Sequence, residues 1–584
     1  MISQPAKWNE IEQTQSPEWV KADGIALLAI SVIAIGATIL VHPIDNVPLI
    51  DDWVYAWSVE HFLKSGELRV LDWSAFYPLV QIIWAGLFAY FFDFSFFALR
   101  LSTLVLAWLG LGAFFFTLRA LGIDRFLSAL GTLALLFNPV FFVLGHSFMA
   151  DVPFVSAMNI AILYYVLWVK QNRSIYLCMG STFAMVAFLI RQTGGMLPLV
   201  PLVYLLLNRI VSGERRELPW LQVLFLLLPL LGMGLTIWWI RDIHGPTSQY
   251  LQKADALKYF FSMSSWLNPR SWWVYYNGML HALVHLGMVL SPLALVSLWS
   301  RSRGLLLLSS SFVIVITGLY LWHFGKLPKP PLMFGQTLSL EELGASRPLI
   351  HGAKYLTEIP TWIRQVLLGI SLISAIGIIA ALLESIRDRS RWMSQGGAVV
   401  FITGLLLFST IEALWQYYDR YYLALLPGLI VLLISGLKQT KITKVVIVTG
   451  VLVSGTISVS GTIDNFRFNR AVSNARESLL SEKVAPGQID AGYVLNGWWL
   501  YAHPDNLPPG ARPETDVPFV TSKTRLPYRI ANSPMPSYEV VRDLTWQSLW
   551  AASNKIYVLQ KTPVVAAPRP SSNKTDSIRD SNLK

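Results

Sequence analysis

With 584 residues of which 54% are hydrophobic and only 14% charged, the chain falls well short of the roughly 25% charge usual for soluble domains, and water is excluded as the solvent for most of it. The formal net charge of +11 does not point to nucleic acid, because the basic residues stand in short clusters between apolar runs and not along one face. Cys178 is the only cysteine, so no intrachain disulfide forms, no metal-thiolate site is expected, and the residue reads as a small packing group.

Apolar runs long enough to cross a ~30 Å hydrocarbon core begin at Gly24 to Val41, too long for the h-region of a cleaved signal and without a clean cleavage site. Spans are predicted at about 24–41, 96–118, 126–144, 152–169, 175–190, 196–211, 218–240, 280–299, 304–322, 362–383, 396–415, 421–437 and 445–460, thirteen in all. If the amino terminus (1–23, with Lys7 and Lys21) is cytoplasmic, alternate connections must carry the Lys and Arg excess. They do: Arg119/Arg125, Lys170/Arg173, Arg209/Arg215/Arg216, Arg301/Arg303, Arg387/Arg389/Arg391 and Lys438/Lys441/Lys444 fall on one side. One miscounted helix would reverse everything after it.

The apolar stretch Tyr77 to Phe92, bounded by Pro78 and Asp93, then does not cross, and reads as a helix in the interface or re-entering from outside. The outer segments 42–95, 241–279 and 323–361 are long and the inner ones short, which places any chemistry on the outer face. Beyond the last span, 461–565 has ordinary polar composition with strand-like pieces at Tyr493-Val494-Leu495 and Lys555 to Gln560. The tail 566–584 is expected to be disordered. The expected fold is an all-α polytopic membrane protein: a transmembrane unit over 24–460 whose first outer loop is 42–95, followed by a small extracytoplasmic mixed α/β domain. No sequence-level repeat is evident.

Three carboxylates stand on the predicted outer face. Asp51 and Asp52 precede an amphipathic pattern rich in aromatics, where a carboxylate can act as general base, bind a cation, or simply cap a helix. Asp151, before a span with Pro153 in its first turn, is a favourable helix start and again has a capping reading. Arg191 and Arg420 lie at outer helix ends, where each can hold a phosphate at headgroup depth or snorkel to lipid; Arg420 can also pair with Asp419. His281 and His285, four apart, share a helical face, but no glutamate intervenes as in a metalloprotease, and interfacial packing is the better reading. No phosphate-cradling glycine loop, serine nucleophile elbow or zinc framework is present.

Together these pieces resemble the lipid-phosphosugar-dependent glycosyltransferases of the C-type superfamily, in the bacterial branch related to protein mannosyltransferases and lipid A aminoarabinose transferases. Asp51-Asp52, with Tyr55-Ala56 and Gly66, is similar to that family's first-loop acidic pair. Tyr77-Pro78-Leu79 through to Phe97-Ala98-Leu99-Arg100-Leu101-Ser102 resembles its second juxtamembrane helix and the start of the next span. Ala150-Asp151-Val152-Pro153 looks like its second-loop aspartate motif, and Arg420-Tyr421-Tyr422-Leu423 with Leu426-Pro427 its late Arg-Tyr motif. Departures are Asp52 where glutamate is usual, a single proline at Pro78, and Ser102 where proline is usual.

The resemblance implies transfer of a sugar from a polyprenyl phosphate to a lipid, glycan or protein acceptor at the outer face of the cell membrane, with inversion. Asp51 would be the base, Asp52 and Asp151 would orient the acceptor or a cation, and Arg191 and Arg420 would hold the lipid phosphate. Some members use a divalent metal and others none, and the residues leave that open. A transporter or flippase for a lipid-linked glycan would be expected to hold ionisable residues at the bilayer midplane and broken helices in matching halves. A polysaccharide polymerase or ligase would use a similar outer site.

Overall fold

The computed structural model describes residues 17–213, 218–328, 350–352, 360–388, 396–414, 418–517, 526–549 and 555–562. The tail 566–584, most of 323–361, and the clusters Arg215/Arg216 and Arg389/Arg391 lie outside them.

Helix α1 (Pro17–Val41) is followed by a loop and by α2 (Asp52–Ser65), ended by Gly66 in the left-handed region. Helix α3 (Leu79–Phe91) is 13 residues long, ~20 Å, too short to cross; it packs as a juxtamembrane helix against α2 and α4 (Phe96–Ala120). The predicted span 126–144 is two pieces, α5 (Arg125–Leu136) and α6 (Pro139–Gly145), bent by 67°. Pro139 cannot continue α5, and Asn138 caps α6 by accepting from the amides of Val140 and Phe141. The Phe137 carbonyl at the break accepts from Ser454 and Ser458 Oγ at 2.9 and 2.8 Å, the side-chain rescue that irregular backbone needs within a membrane.

Helices α7 (Asp151–Gln171) and α8 (Ser174–Ile190) form an antiparallel hairpin, then a 3₁₀ turn (Gln192–Met196) leads into α9 (Leu199–Ser212) and α10 (Trp220–Trp239). The segment after α10 folds into α11 (Ser248–Phe261) and α12 (Met263–Leu267). The next predicted span is again broken, with α13 (Pro269–Val289) and α14 (Ser291–Leu298) bent by 90° beside Pro292. Helices α15 (Arg303–Phe324), α16 (Thr361–Arg387) and α17 (Gly397–Ala413) follow, then a 3₁₀ turn (Asp419–Leu425) running into α18 (Leu426–Ser435).

Among the described residues eight helices are long and apolar enough to cross a membrane, or ten with each bent pair taken as one span. The other three predicted spans are helical but short: α8 and α17 have 17 residues each, and α18 has 10 behind its 3₁₀ turn. Hydropathy marks where a chain is apolar, not how far its helix reaches, so thirteen exceeds the helices that span by length alone.

Helix α19 (Lys441–Ser481), 41 residues long, does not stop at the expected boundary near 460 but continues into the carboxy-terminal domain. There its second half packs Phe468, Val472, Ala475 and Leu479 on a sheet that contributes Ile530, Ile556 and Val558. The strands are β1 (Ile489–Asp490), β2 (Tyr528–Ala531), β3 (Tyr538–Thr545) and β4 (Lys555–Lys561), in the order β1-β2-β4-β3, with β1 parallel to β2 and the other pairs antiparallel. The expected strand at Lys555 is β4. The expected strand at Tyr493 is instead a single helical turn, α20 (Gly492–Asn496). A three-residue apolar run does not fix a period, and side-chain bonds from Asp490 and Asn496 decide it, as described below.

Candidate active site

The loop entering α2 is tied down from the membrane side. Arg100 of α4, fully buried, donates to the carbonyls of Asp45 at 2.5 Å and of Val47, so the residues before Asp51 are held by one guanidinium. Asp52 is also fully buried; its Oδ1 accepts from the Leu49 amide at 2.7 Å and its Oδ2 from the Phe148 amide at 3.5 Å. Burial pushes its carboxyl up to about 7 against the pull of Arg100 and the two amides. Asp52 thus fastens α2 to the loop before α7.

Asp51 stands at the N-cap position of α2 but makes no capping hydrogen bond. Its Oδ2 accepts from Arg420 at 3.0 Å, and its Oδ1 accepts from the hydroxyl of Tyr493 at 2.7 Å. The two acids adjacent in sequence therefore serve different partners. Arg420 pairs with Asp51 through its side chain, while Asp419 accepts from the Arg420 backbone amide at 2.7 Å.

Asp151 opens α7 and Arg191 ends α8, and the hairpin brings these buried residues into a direct ion pair. The Arg191 guanidinium lies over the rings of Phe76, at 4.2 Å, and Tyr421, at 4.9 Å. Next to it, Gln192 exchanges two 3.1 Å hydrogen bonds with the backbone of Tyr77, which joins the entrance of α3 to the end of α8.

Two further groups belong here that the sequence pattern does not single out. Lys253 of α11, 7% exposed, donates to the Tyr421 hydroxyl at 2.9 Å and sits 4.0 Å from the Phe76 ring centroid. Tyr77 delivers it: the Tyr77 hydroxyl accepts from the Thr247 amide at 2.8 Å, fixing the start of α11. Burial, with Arg191 and Arg420 close by, pushes the Lys253 ammonium well below the ordinary lysine value. A lone lysine in a polar helix carries no spacing signal. The other group is Tyr493, 442 residues from Asp51 in the chain.

A narrow cleft, with an enclosed volume of only about 30 Å³, opens between α7, α17 and the 3₁₀ turn. Asp151, Arg191 and Arg420 form its polar end, and Phe154, Leu407, Ile411 and Leu414 its apolar wall. Three cationic side chains, Arg191, Arg420 and Lys253, thus meet two carboxylates, Asp51 and Asp151, a surplus that suits an anion with a greasy tail. Asp51, Asp52 and Asp151 do not form one ligand set, and no group of three or more His, Cys, Asp or Glu suited to a metal occurs among the described residues. His281, whose Nδ1 is 2.7 Å from the Asn277 carbonyl, and His285, beside Tyr422, are buried among helices.

Residues 77–238 match the family described as dolichyl-phosphate-mannose-protein mannosyltransferase. That range holds Tyr77, Asp151 and Arg191; Asp51, Lys253, Arg420 and Tyr493 lie outside it. No curated protein matches the chain. Among solved structures, ArnT from Cupriavidus metallidurans bound to undecaprenyl phosphate is similar at 15% identity, with a TM-score of 0.39 over 93% of this chain and 99% of that one. The same protein in the apo state gives 14% and 0.39, over 94% and 100%. Archaeal oligosaccharyltransferase AglB from Archaeoglobus fulgidus, in complex with an inhibitory peptide and a dolichol-phosphate, gives 13% and 0.40, over 77% and 58%. The resemblance to the polyprenyl-phosphate-sugar-dependent glycosyltransferases read from the motifs is borne out, and it is carried by residues 77–238.

Proposed function

We propose that this protein is a membrane glycosyltransferase that moves a sugar from a polyprenyl-phosphate donor to a lipid, glycan or protein acceptor at the extracytoplasmic face. The observation that carries the reading is the cleft whose polar end joins Arg191 and Arg420 to an apolar wall, with Asp51 bonded to Arg420 beside it. The prenyl chain lies along the wall, and the phosphate meets the two guanidinium groups and Lys253.

The donor is a phosphodiester with one negative charge, and the leaving polyprenyl phosphate carries more. The cationic cluster therefore stabilises the transition state more than the ground state. The acceptor hydroxyl or amine attacks the anomeric carbon as the bond from that carbon to the phosphate oxygen breaks. Asp51 takes the acceptor's proton, and one in-line displacement inverts the anomeric centre. Each Asp51 oxygen accepts one bond from the protein and keeps a lone pair for that proton. Asp151 keeps Arg191 aimed at the phosphate, and Asp52 anchors the helix that carries the base.

The topology that goes with this reading has thirteen crossings, a cytoplasmic amino terminus and an extracytoplasmic carboxy-terminal domain after 460. The test is mass spectrometry of envelope glycolipids and glycoproteins from a strain lacking the gene. One sugar modification should disappear, return with the wild-type gene, and stay absent with Asp51→Asn expressed at normal levels. An unaltered glycan profile in the deletion strain would overturn the transferase reading, and full restoration by Asp51→Asn would remove Asp51 as the base.

A further inference from the structure

One oxygen of Asp51 is held from outside the membrane unit, by a residue whose placement is built with care. The Asp490 carboxylate accepts from the Gly492 amide at 3.3 Å and from Asn496 Nδ2 at 2.9 Å, and Asn496 Oδ1 accepts from the Ala491 amide at 2.9 Å. Gly492 has φ of 81°, a conformation only glycine adopts freely. These bonds close α20 into one turn and aim Tyr493 across the domain boundary. Its ring lies against Trp53 and Trp73, at 6.0 and 6.5 Å between centroids. Trp73 Nε1 donates to the Tyr493 hydroxyl at 2.9 Å, which leaves the single phenolic proton for Asp51 Oδ1.

We infer that Tyr493 is a positioning residue for the base, so that the carboxy-terminal domain completes the active site. With Tyr493 on Oδ1 and Arg420 on Oδ2, the carboxylate is fixed at both ends. Burial, and then the negative charge of Asp51, push the Tyr493 phenol well above its ordinary value, so it stays protonated, and a donor, at neutral pH. A neutral donor on an anionic acceptor favours the ionised carboxylate. The other charged or titratable groups that face Asp51 are Arg420, Lys253, Asp52 and the phenols of Tyr55, Tyr418 and Tyr421, and none of them is altered by changing Tyr493.

This inference rests on Asp51 being the base, and the experiment separates the two. Initial transfer rates are measured between pH 5 and 9 in permeabilised membranes of the deletion strain carrying wild type, Tyr493→Phe, Trp73→Phe or Asp51→Asn, using endogenous donor and acceptor. Tyr493→Phe keeps the ring and its packing. It is expected to cut the maximal rate about tenfold, as loss of one hydrogen bond to a charged group does, and to move the acid limb of the profile upward by about one pH unit. Trp73→Phe, which frees the phenolic proton to point elsewhere, should shift the same limb in the same direction by less. An inactive Asp51→Asn beside a Tyr493→Phe with wild-type rate and profile would overturn the inference and leave the transferase reading intact. So would a lowered rate with an unmoved acid limb, since that describes a merely structural ring. An active Asp51→Asn would sink both.

Discussion

The two carboxylate-arginine pairs of the site are built in opposite ways. Asp151 and Arg191 are 40 residues apart, at the facing ends of a helical hairpin, and both are buried. Asp51 and Arg420 are 369 residues apart, and their shared site is closed by Tyr493 from a third region of the chain. The first pair belongs to the packed heart of the membrane unit, where 72% of the apolar stretch of α7 is buried against 22% for α10 or α15. The second belongs to a junction of loop, 3₁₀ turn and carboxy-terminal domain. A buried pair fixed by one hairpin is a structural commitment, whereas a pair assembled from distant segments can exchange partners when substrate arrives.

The largest expected effect sharpens that contrast. Arg191→Ala strands Asp151 as a buried charge and should cost ~3–5 kcal/mol of stability, seen as a steep fall in melting temperature in detergent. Arg420→Ala leaves the Asp51 side chain, 22% exposed, with Tyr493 and water. It should lower stability less than Arg191→Ala does, while raising the apparent donor KM by about tenfold or more. Equal melting losses in the two variants would erase the distinction.

Lys253→Met comes next. Because the folded-state ammonium titrates below the ordinary lysine value, donor affinity in the wild type should weaken as pH rises through that lowered value. The variant should bind a polyprenyl phosphate about tenfold more weakly at low pH and show a flatter pH dependence. A wild-type titration curve in the variant would take Lys253 out of the phosphate site.

Gly497 tests the junction itself, since an added Cβ would lie 2.4 Å from the Trp53 ring. Gly497→Ala should cost ~1–3 kcal/mol and reduce transfer together with stability, in contrast to Tyr493→Phe.

The smallest effect concerns the second tie across the junction, where His503 Nε2 lies 2.8 Å from Glu60 Oε2. The bond from His503 holds the Glu60 carboxyl down at about 2. Burial pulls the His503 imidazole down, but its bonds to Glu60 and to the Trp498 carbonyl outweigh that and hold it above the ordinary histidine value. The depressed carboxyl contributes stability above about pH 4.5 that is lost as pH falls toward 2. The raised imidazole contributes stability below about pH 6.5 that is lost as pH rises through its folded value. Melting temperature should therefore peak at mildly acid pH in the wild type, and His503→Gln should flatten the decline toward pH 8 by under ~1 kcal/mol.

Much of this architecture is legible from residue order. Long apolar runs announce the spans, and Pro78 and Asp93 mark α3 as a helix that does not cross. Asp51, Asp151, Arg191 and Arg420 declare themselves as charges at the ends of greasy helices. What stays hidden is which neighbour each charge chooses. Asp51 and Asp52 are chemically alike, and only folding reveals that one is consumed by amides while the other faces a guanidinium. Lys253 and Tyr493 have no local signature because their importance comes from distant aromatic rings. The breaks at Asn138-Pro139 and Ser291-Pro292 are written in prolines, yet hydropathy averages over them.

Helix α19 has one more implication. A continuous helix advances ~1.5 Å and turns about 100° for each residue, so the carboxy-terminal sheet is geared to the lipid-embedded part like a key on a shaft. Inserting a single residue near Gly461 would rotate the sheet by more than a quarter turn and swing α20 away from its seat. Length changes in this stretch are tolerable only in near-whole turns, a spacing rule that would be imposed by geometry alone.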